Sequence, residues 1–232
     1  MLEAGEPFAA LPIGQVPGVA ENAFDLLRDT ESLRLAISMR APQGQSRIAV
    51  DADREGNCTG TFDLGPMQRG DIIRVAGEAT SYVRYSDASL AAMRAAGARR
   101  GPEAAARANE RTAQARGKYL KMVSASAEVQ DQCDLDKALS SVPRSGQGVR
   151  QGTAVERDGE RLVPLSGPQG DGGMRMYVAV DGMPYLRFME GQSEGVEMTL
   201  EFSRYGERVH AVAPPASMVV VMPTGSGGLL DT

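Results

Sequence analysis

The sequence contains one histidine, His210, two cysteines, Cys58 and Cys133, and no tryptophan. A lone histidine excludes a His-rich zinc centre and most histidine-based catalytic triads. Two cysteines exclude a zinc ribbon, an iron–sulfur cluster and a dense disulfide scaffold. No apolar run approaches the roughly 18 residues a membrane-spanning helix needs. An excess of positive charge is missing too. Twenty-five Lys and Arg face 30 Asp and Glu, a net charge of −5, so the basic field of a nucleic-acid binder is absent and no nucleic-acid partner is expected. The opening residues Met1–Glu6 hold neither the basic nor the apolar stretch of a secretory signal. The Gly-rich stretches 170–173 and 225–228 lack the Lys-Ser/Thr of a phosphate loop, and no Gly-x-Ser-x-Gly elbow exists. These absences leave no catalytic residue, metal or cofactor to assign.

What remains is ordinary globular material. The 232 residues are 42% apolar and 24% charged, which suits one domain of about 200 residues with a real core. Aromatics make up only 5%, while there are 12 methionines. Methionine is flexible and polarizable; it serves surfaces that adapt to varied partners and equally well fills a core.

Along the chain, residues 1–18 have the Pro/Gly composition of a flexible linker. Val19, Ala23, Phe24 and Leu27 then share one face of a short helix, with Glu21, Asp25 and Arg28 opposite. Leu33, Leu35, Ile37 and Met39 alternate with Arg34, Ala36, Ser38 and Arg40, the period of a strand with one dry face. Further strands are predicted at 48–53 and 58–64, and 71–76 and 79–85 form a hairpin around Gly77-Glu78. Residues 86–117 change character. Ser86 or Asp87 caps a helix, Gly101-Pro102 separates it from a second, and the apolar positions are almost all alanine. Alanine buries little area, so this segment is expected to be a loosely held helical flap over the sheet, or else an ordinary surface helix. A short apolar segment at 119–122 and a short helix at 133–139 follow. Asp158-Gly159 joins strands predicted at 146–158 and 160–165. Strands are then expected at 174–180, 184–190, 196–203, 209–212 and 218–222, with 223–232 a flexible tail. About ten strands joined by short turns give an α+β fold: a curved antiparallel sheet with one apolar face, which the helices must cover.

Candidate chemistry is thin. Asp51 with Asp53, and Glu197 with Glu201, pair carboxylates on a strand face, as acid–base work requires and as any solvated sheet face provides. Asp134 and Asp136 read as helix-start residues. His210 has no acid or nucleophile partner in sequence. Arg94, Arg99, Arg100, Arg107, Arg111 and Arg116 make the flap locally basic, either as a solvated face or as a contact for anionic headgroups or a sensor protein.

Several segments, taken in order, resemble a known family. They are Asp53–Gly60, Ile72–Val75, Gly117–Lys121, Cys133–Asp136, Met176–Ala179 with Gly182–Tyr185, and Ala213–Ala216. Together they resemble actinobacterial lipoproteins related to the LppX/LprG and LolA/LolB lipid carriers, over residues 20–222. The resemblance implies a LolA-like half-barrel forming one domain over 19–222, with acyl chains taken between sheet and helices. It implies export and an N-terminal lipid anchor. The lipobox cysteine is absent from this sequence, and signal and anchor are expected to have been removed ahead of the linker.

In an exported protein the two cysteines are expected to form a bridge, Cys58–Cys133, worth about 4 kcal/mol through loop closure; two buried free thiols are the alternative. The expected ligand-cavity wall is Leu35, Ile37, Met39, Met174, Met176, Met198, Leu200 and Phe202. The leading function is a non-enzymatic, exported, membrane-anchored lipoprotein on the outer face of the cell membrane, binding or carrying an acyl-chain ligand. The alternative is an envelope-side regulator that binds a protein partner such as a sensor kinase. The Ala-rich flap and missing tryptophan favour the alternative, because small side chains grip a large lipid poorly.

Overall fold

The computed structural model describes residues 16–122, 127–140, 142, 148–167 and 174–221. The expected linker and tail lie almost wholly outside these residues, as does the Gly-rich stretch 170–173. The first helix, α1 (Val16–Asp29), leads into five strands: β1 (Ser32–Ala41), β2 (Gly44–Asp53), β3 (Cys58–Asp63), β4 (Arg69–Arg74) and β5 (Ser81–Tyr85). A helical pair, α2 (Asp87–Arg99) and α3 (Pro102–Ala115), precedes β6 (Tyr119–Met122). Two short helices, α4 (Ala127–Gln132) and α5 (Leu135–Ala138), lie between β6 and β7 (Arg150–Gln151). The rest is β8 (Val155–Arg157), β9 (Glu160–Ser166), β10 (Arg175–Ala179), β11 (Leu186–Ser193), β12 (Val196–Ser203) and β13 (Val219–Val221).

The thirteen strands among the described residues join one sheet in the order β13-β6-β5-β4-β3-β2-β1-β12-β11-β10-β9-β7, with β8 also on β9. The expected open, curved, antiparallel sheet is what forms. Its middle is the β1–β12 pair, where the first and last long strands meet. Alternation did its work there. Leu33 and Leu35 are buried on the inner face, while Arg34 on the outer face pairs with Asp51 at 2.8 Å.

Two glycines permit the curvature. A Cβ at Gly60 would lie 2.2 Å from the Ala49 carbonyl oxygen, and one at Gly70 would lie 2.1 Å from that of Arg84. Both positions face inward, where bending crowds adjacent backbones, so only hydrogen fits.

Three expectations need correction. Residues 209–212 do not form a strand. Gly206 N donates to the Ser32 carbonyl and Ser32 Oγ to that of Glu207, so this segment is pinned beside β1, whose two edges are already taken by β2 and β12. The predicted strand 146–158 is two short ones, β7 and β8, both on β9, and Gly152 N donates to the Pro164 carbonyl between them. β13 runs parallel to β6, the exception in an otherwise antiparallel sheet. The chain crosses from β12 to the far edge before re-entering, and that crossover sets its direction.

The inner face carries the core. Ala20, Ala23, Phe24 and Leu27 of α1, spaced three and four apart, are each 0% exposed. α1 packs against β10 and β11, and α4 against β2. Arg54 locks the end of α1: Nε donates to the Thr30 carbonyl at 2.9 Å, Nη2 to that of Arg28, and Nη1 meets Asp136 of α5. The sequence reading missed α4. Its signal was the spacing of Val129 and Cys133, both buried.

The pair α2–α3 makes a smaller cluster of its own, with Leu90, Met93, Ala115 and Leu120. Gly97 brings the two helices close: a Cβ there would lie 2.6 Å from that of Ala108. Ser86 caps α2 by accepting from Ser89 N at 3.2 Å.

Candidate functional site

Strand register brings the expected wall together. Leu35 stands opposite Phe202, Ile37 opposite Leu200, and Met39 opposite Met198. Across β11, Met189 lies between Leu200 and Met176, and Leu165 follows on β9. Met189 escaped the sequence reading because a register shift between Tyr177 and Val178 breaks parity, so that Leu186 and Met189 are both buried.

The wall has two halves. Leu35, Met176, Leu200 and Phe202 are sealed in the core with α1. Ile37, Met174 and Met198 are only partly covered, and Met39 is 37% exposed. Gly191 faces Met198, and a Cβ there would meet no atom within 4 Å. The inner face is therefore closed over one set of rungs and half-open along the next.

Where α4 approaches β3 and β5, a small pocket lies among Phe62, Leu64, Gln68, Val83, Tyr85, Met122 and Val129. Its volume is about 20 Å³, room for roughly one water and far below the several hundred Å³ of a typical ligand site. Tyr85 and Met122 touch both the main core and the α2–α3 cluster. The pocket thus marks the seam between two separate covers. Burial pushes the Tyr85 hydroxyl pKa up.

Cys58 of β3 and Cys133, between α4 and α5, form a disulfide with Cα atoms 5.4 Å apart. It ties the α4–α5 cover directly to the sheet.

The carboxylates are held in structural roles. Asp51 pairs with Arg34 and Arg204, and Asp53 accepts from Asn57 N and Nδ2. Glu197 lies 3.6 Å from Arg40, and Asp134 caps α5 through Lys137 N. Among the described residues no three His, Cys, Asp or Glu side chains converge as metal ligands. His210 is exposed in a polar, open groove of about 600 Å³ with Glu31, Asp53 and Arg208.

Where β11 begins, Tyr205 stacks on Tyr185 with centroids 4.3 Å apart and donates its hydroxyl to the Leu186 carbonyl. Burial pushes its pKa far above the ordinary tyrosine range. Above pH ~10 the unfolded chain loses these protons while the folded one keeps them, so stability falls as pH rises. The slope is up to about 1.4 kcal/mol per pH unit for each such tyrosine. Thermal melts between neutral pH and pH ~11 are expected to show this loss, and Tyr205→Phe to make it shallower; an unchanged slope in the variant would contradict the assignment.

No protein-family model matches the sequence, and no curated protein matches it. Solved structures do. LprF from Mycobacterium bovis aligns with a TM-score of 0.53 at 12% identity, over 86% of this chain and 99% of LprF. The lipoprotein LppX from Mycobacterium tuberculosis aligns with a TM-score of 0.51 at 12% identity, over 84% of this chain and 97% of LppX. The chain has the fold of LprF and LppX. Each alignment covers more than four fifths of this chain and nearly all of the other. Among the described residues no helix is long and apolar enough to cross a membrane.

Proposed function

We propose that this chain is an exported, membrane-anchored lipoprotein that binds an acyl-chain ligand on the inner face of its sheet. The observation that carries the reading is the unsealed apolar strip: Ile37, Met39, Met174 and Met198 on the concave side, half-covered, with open space at Gly191. Exposing such a strip to water is unfavourable, and an acyl chain laid along it would remove that cost. The ligand would extend toward the seam at Tyr85 and Met122, where the α4–α5 and α2–α3 covers part from each other. Carriage needs no chemistry, only a lining and a movable cover. The disulfide suits an oxidising compartment outside the cytosol.

Titration with an acyl chain bearing an environment-sensitive fluorophore tests the site. Saturable binding is expected, and Met198→Glu is expected to weaken it at least roughly tenfold, because an unpaired buried charge is costly. Thr199→Glu, one residue along on the outer face, is expected to bind as before. Equal binding by both variants would remove the strip from the proposal.

The second reading, a regulator that binds a protein partner such as a sensor kinase, draws on the interior pocket of about 20 Å³, which suits covers that stay shut. Native mass spectrometry of the protein from its own host decides between them: a copurified lipid supports carriage, and a lipid-free chain with a stoichiometric protein partner supports regulation.

A further inference from the structure

We propose that the α2–α3 pair is a docking surface for an anionic lipid bilayer, independent of any covalent anchor and of what the inner face holds. Between Ser86 and Lys118 the chain carries six arginines and one lysine against Asp87, Glu103 and Glu110, a local charge of +4. The whole chain is −5, so everything outside this segment carries −9. The net positive charge sits on one helical pair, which packs against β4 and clusters with Leu120 of β6 at one end of the sheet, while the rest of the chain is net negative. A negatively charged plane attracts that end and repels the remainder, which orients the protein as well as binding it.

The composition of the exposed surface selects a lipid plane over a protein partner. Arg99, Arg100, Arg107 and Arg116 are exposed, and the other exposed residues of the two helices are small or polar: alanines such as Ala91, Ala95, Ala98 and Ala106, with Glu103, Asn109, Glu110 and Gln114. The large apolar side chains of the pair, Leu90 and Met93, are turned into the sheet. Protein interfaces draw much of their affinity from buried aromatic and arginine anchors seated among apolar contacts; this surface has the arginines but no exposed aromatic or large apolar side chain to surround them. A headgroup layer requires no such anchor: each basic residue near it contributes by charge alone. The alanines exposed on the two helices, Ala91, Ala95, Ala98, Ala106 and Ala113, are short, so the arginine side chains reach beyond them. The local charge of +4 already counts the three carboxylates of the segment. Arg107 approaches Glu103 only to 3.8 Å between exposed side chains, and Lys118 donates to the Ser217 carbonyl, a neutral acceptor.

The test is co-sedimentation of the 232-residue chain with vesicles of phosphatidylcholine alone and of phosphatidylcholine mixed with phosphatidylglycerol. Binding is expected only to the mixed vesicles at low salt, and is expected to vanish near 1 M salt, where the screening length is about 3 Å. The quadruple variant Arg94→Gln, Arg99→Gln, Arg107→Gln, Arg116→Gln is expected to lose at least roughly tenfold in partition coefficient. The same four positions changed to lysine are expected to keep most of it. A control that removes Arg40, Arg47, Arg150 and Arg161, all exposed and outside the pair, has the same net charge as the first variant and is expected to bind nearly as the parent does. Failure to bind the mixed vesicles, equal binding to neutral ones, binding that survives high salt, or an equal loss in the control would each overturn the proposal. Should the glutamine variant fold poorly, the lysine variant and the salt series still decide it. Acyl-chain titration of the same samples keeps this result separate from the inner-face site.

Discussion

Replacing Cys58 and Cys133 together by alanine is expected to lower the unfolding free energy by about 4 kcal/mol. The bridge closes a loop of 75 residues, and loop-closure entropy in the unfolded chain rises slowly with length, reaching about 4 kcal/mol in this range. Both cysteines are fully buried in the main core, so alanine also leaves a small void. For a chain of this size the midpoint of thermal unfolding is expected to fall by on the order of 10 °C. Scanning calorimetry of the parent, the double variant and the reduced parent measures it. A shift smaller than a degree or two would show that α4 and α5 are held by their packing alone. The consequence reaches the proposed site, because this bridge tethers the α4–α5 cover to β3. Without it the cover gains freedom to leave the seam, and acyl-chain association is expected to quicken even as the fold weakens.

Phe24→Ala is expected to cost about 3–5 kcal/mol, the range for emptying a buried aromatic site. Phe24 is 0% exposed, and Ala20, Ala23 and Leu27 beside it on α1 are equally buried. A short helix of this kind is held chiefly by its packed face, so the loss falls on the whole α1–sheet interface. Urea denaturation is expected to show a lower midpoint with little change in slope. Asp25→Ala, on the opposite and solvated face, is expected to stay within about 0.5 kcal/mol of the parent. Similar losses for both variants would mean that α1 is not the cover of the inner face.

Much of the fold was legible because alternation reports which face of a strand is dry. Leu33, Leu35, Ile37 and Met39 declared one side of β1, and Met198, Leu200 and Phe202 declared one side of β12. The registers place these two sets directly against each other. Where alternation failed, a local irregularity intervened. The register shift beside Val178 turned Met189 inward, and Gly152 divided one expected strand into two. Val209–Val212 had strand composition, but both edges of the neighbouring β1 were occupied. Of the candidate wall, its membership in one inward face was readable; its division into a sealed half and an open half was not, since that depends on where α1 ends.

Hydrophobic periodicity, turn residues and the resemblance by themselves determined a curved antiparallel sheet with one apolar side, helical covers and a cysteine pair, for each rests on local spacing or on an ordered set of short segments. Only the tertiary structure decided that β1 and β12 meet in the middle, that β13 runs parallel at the edge, that α4 packs against β2, and that two covers meet at a seam. These are contacts between residues far apart in the chain, and a local pattern specifies which face is buried without specifying what buries it.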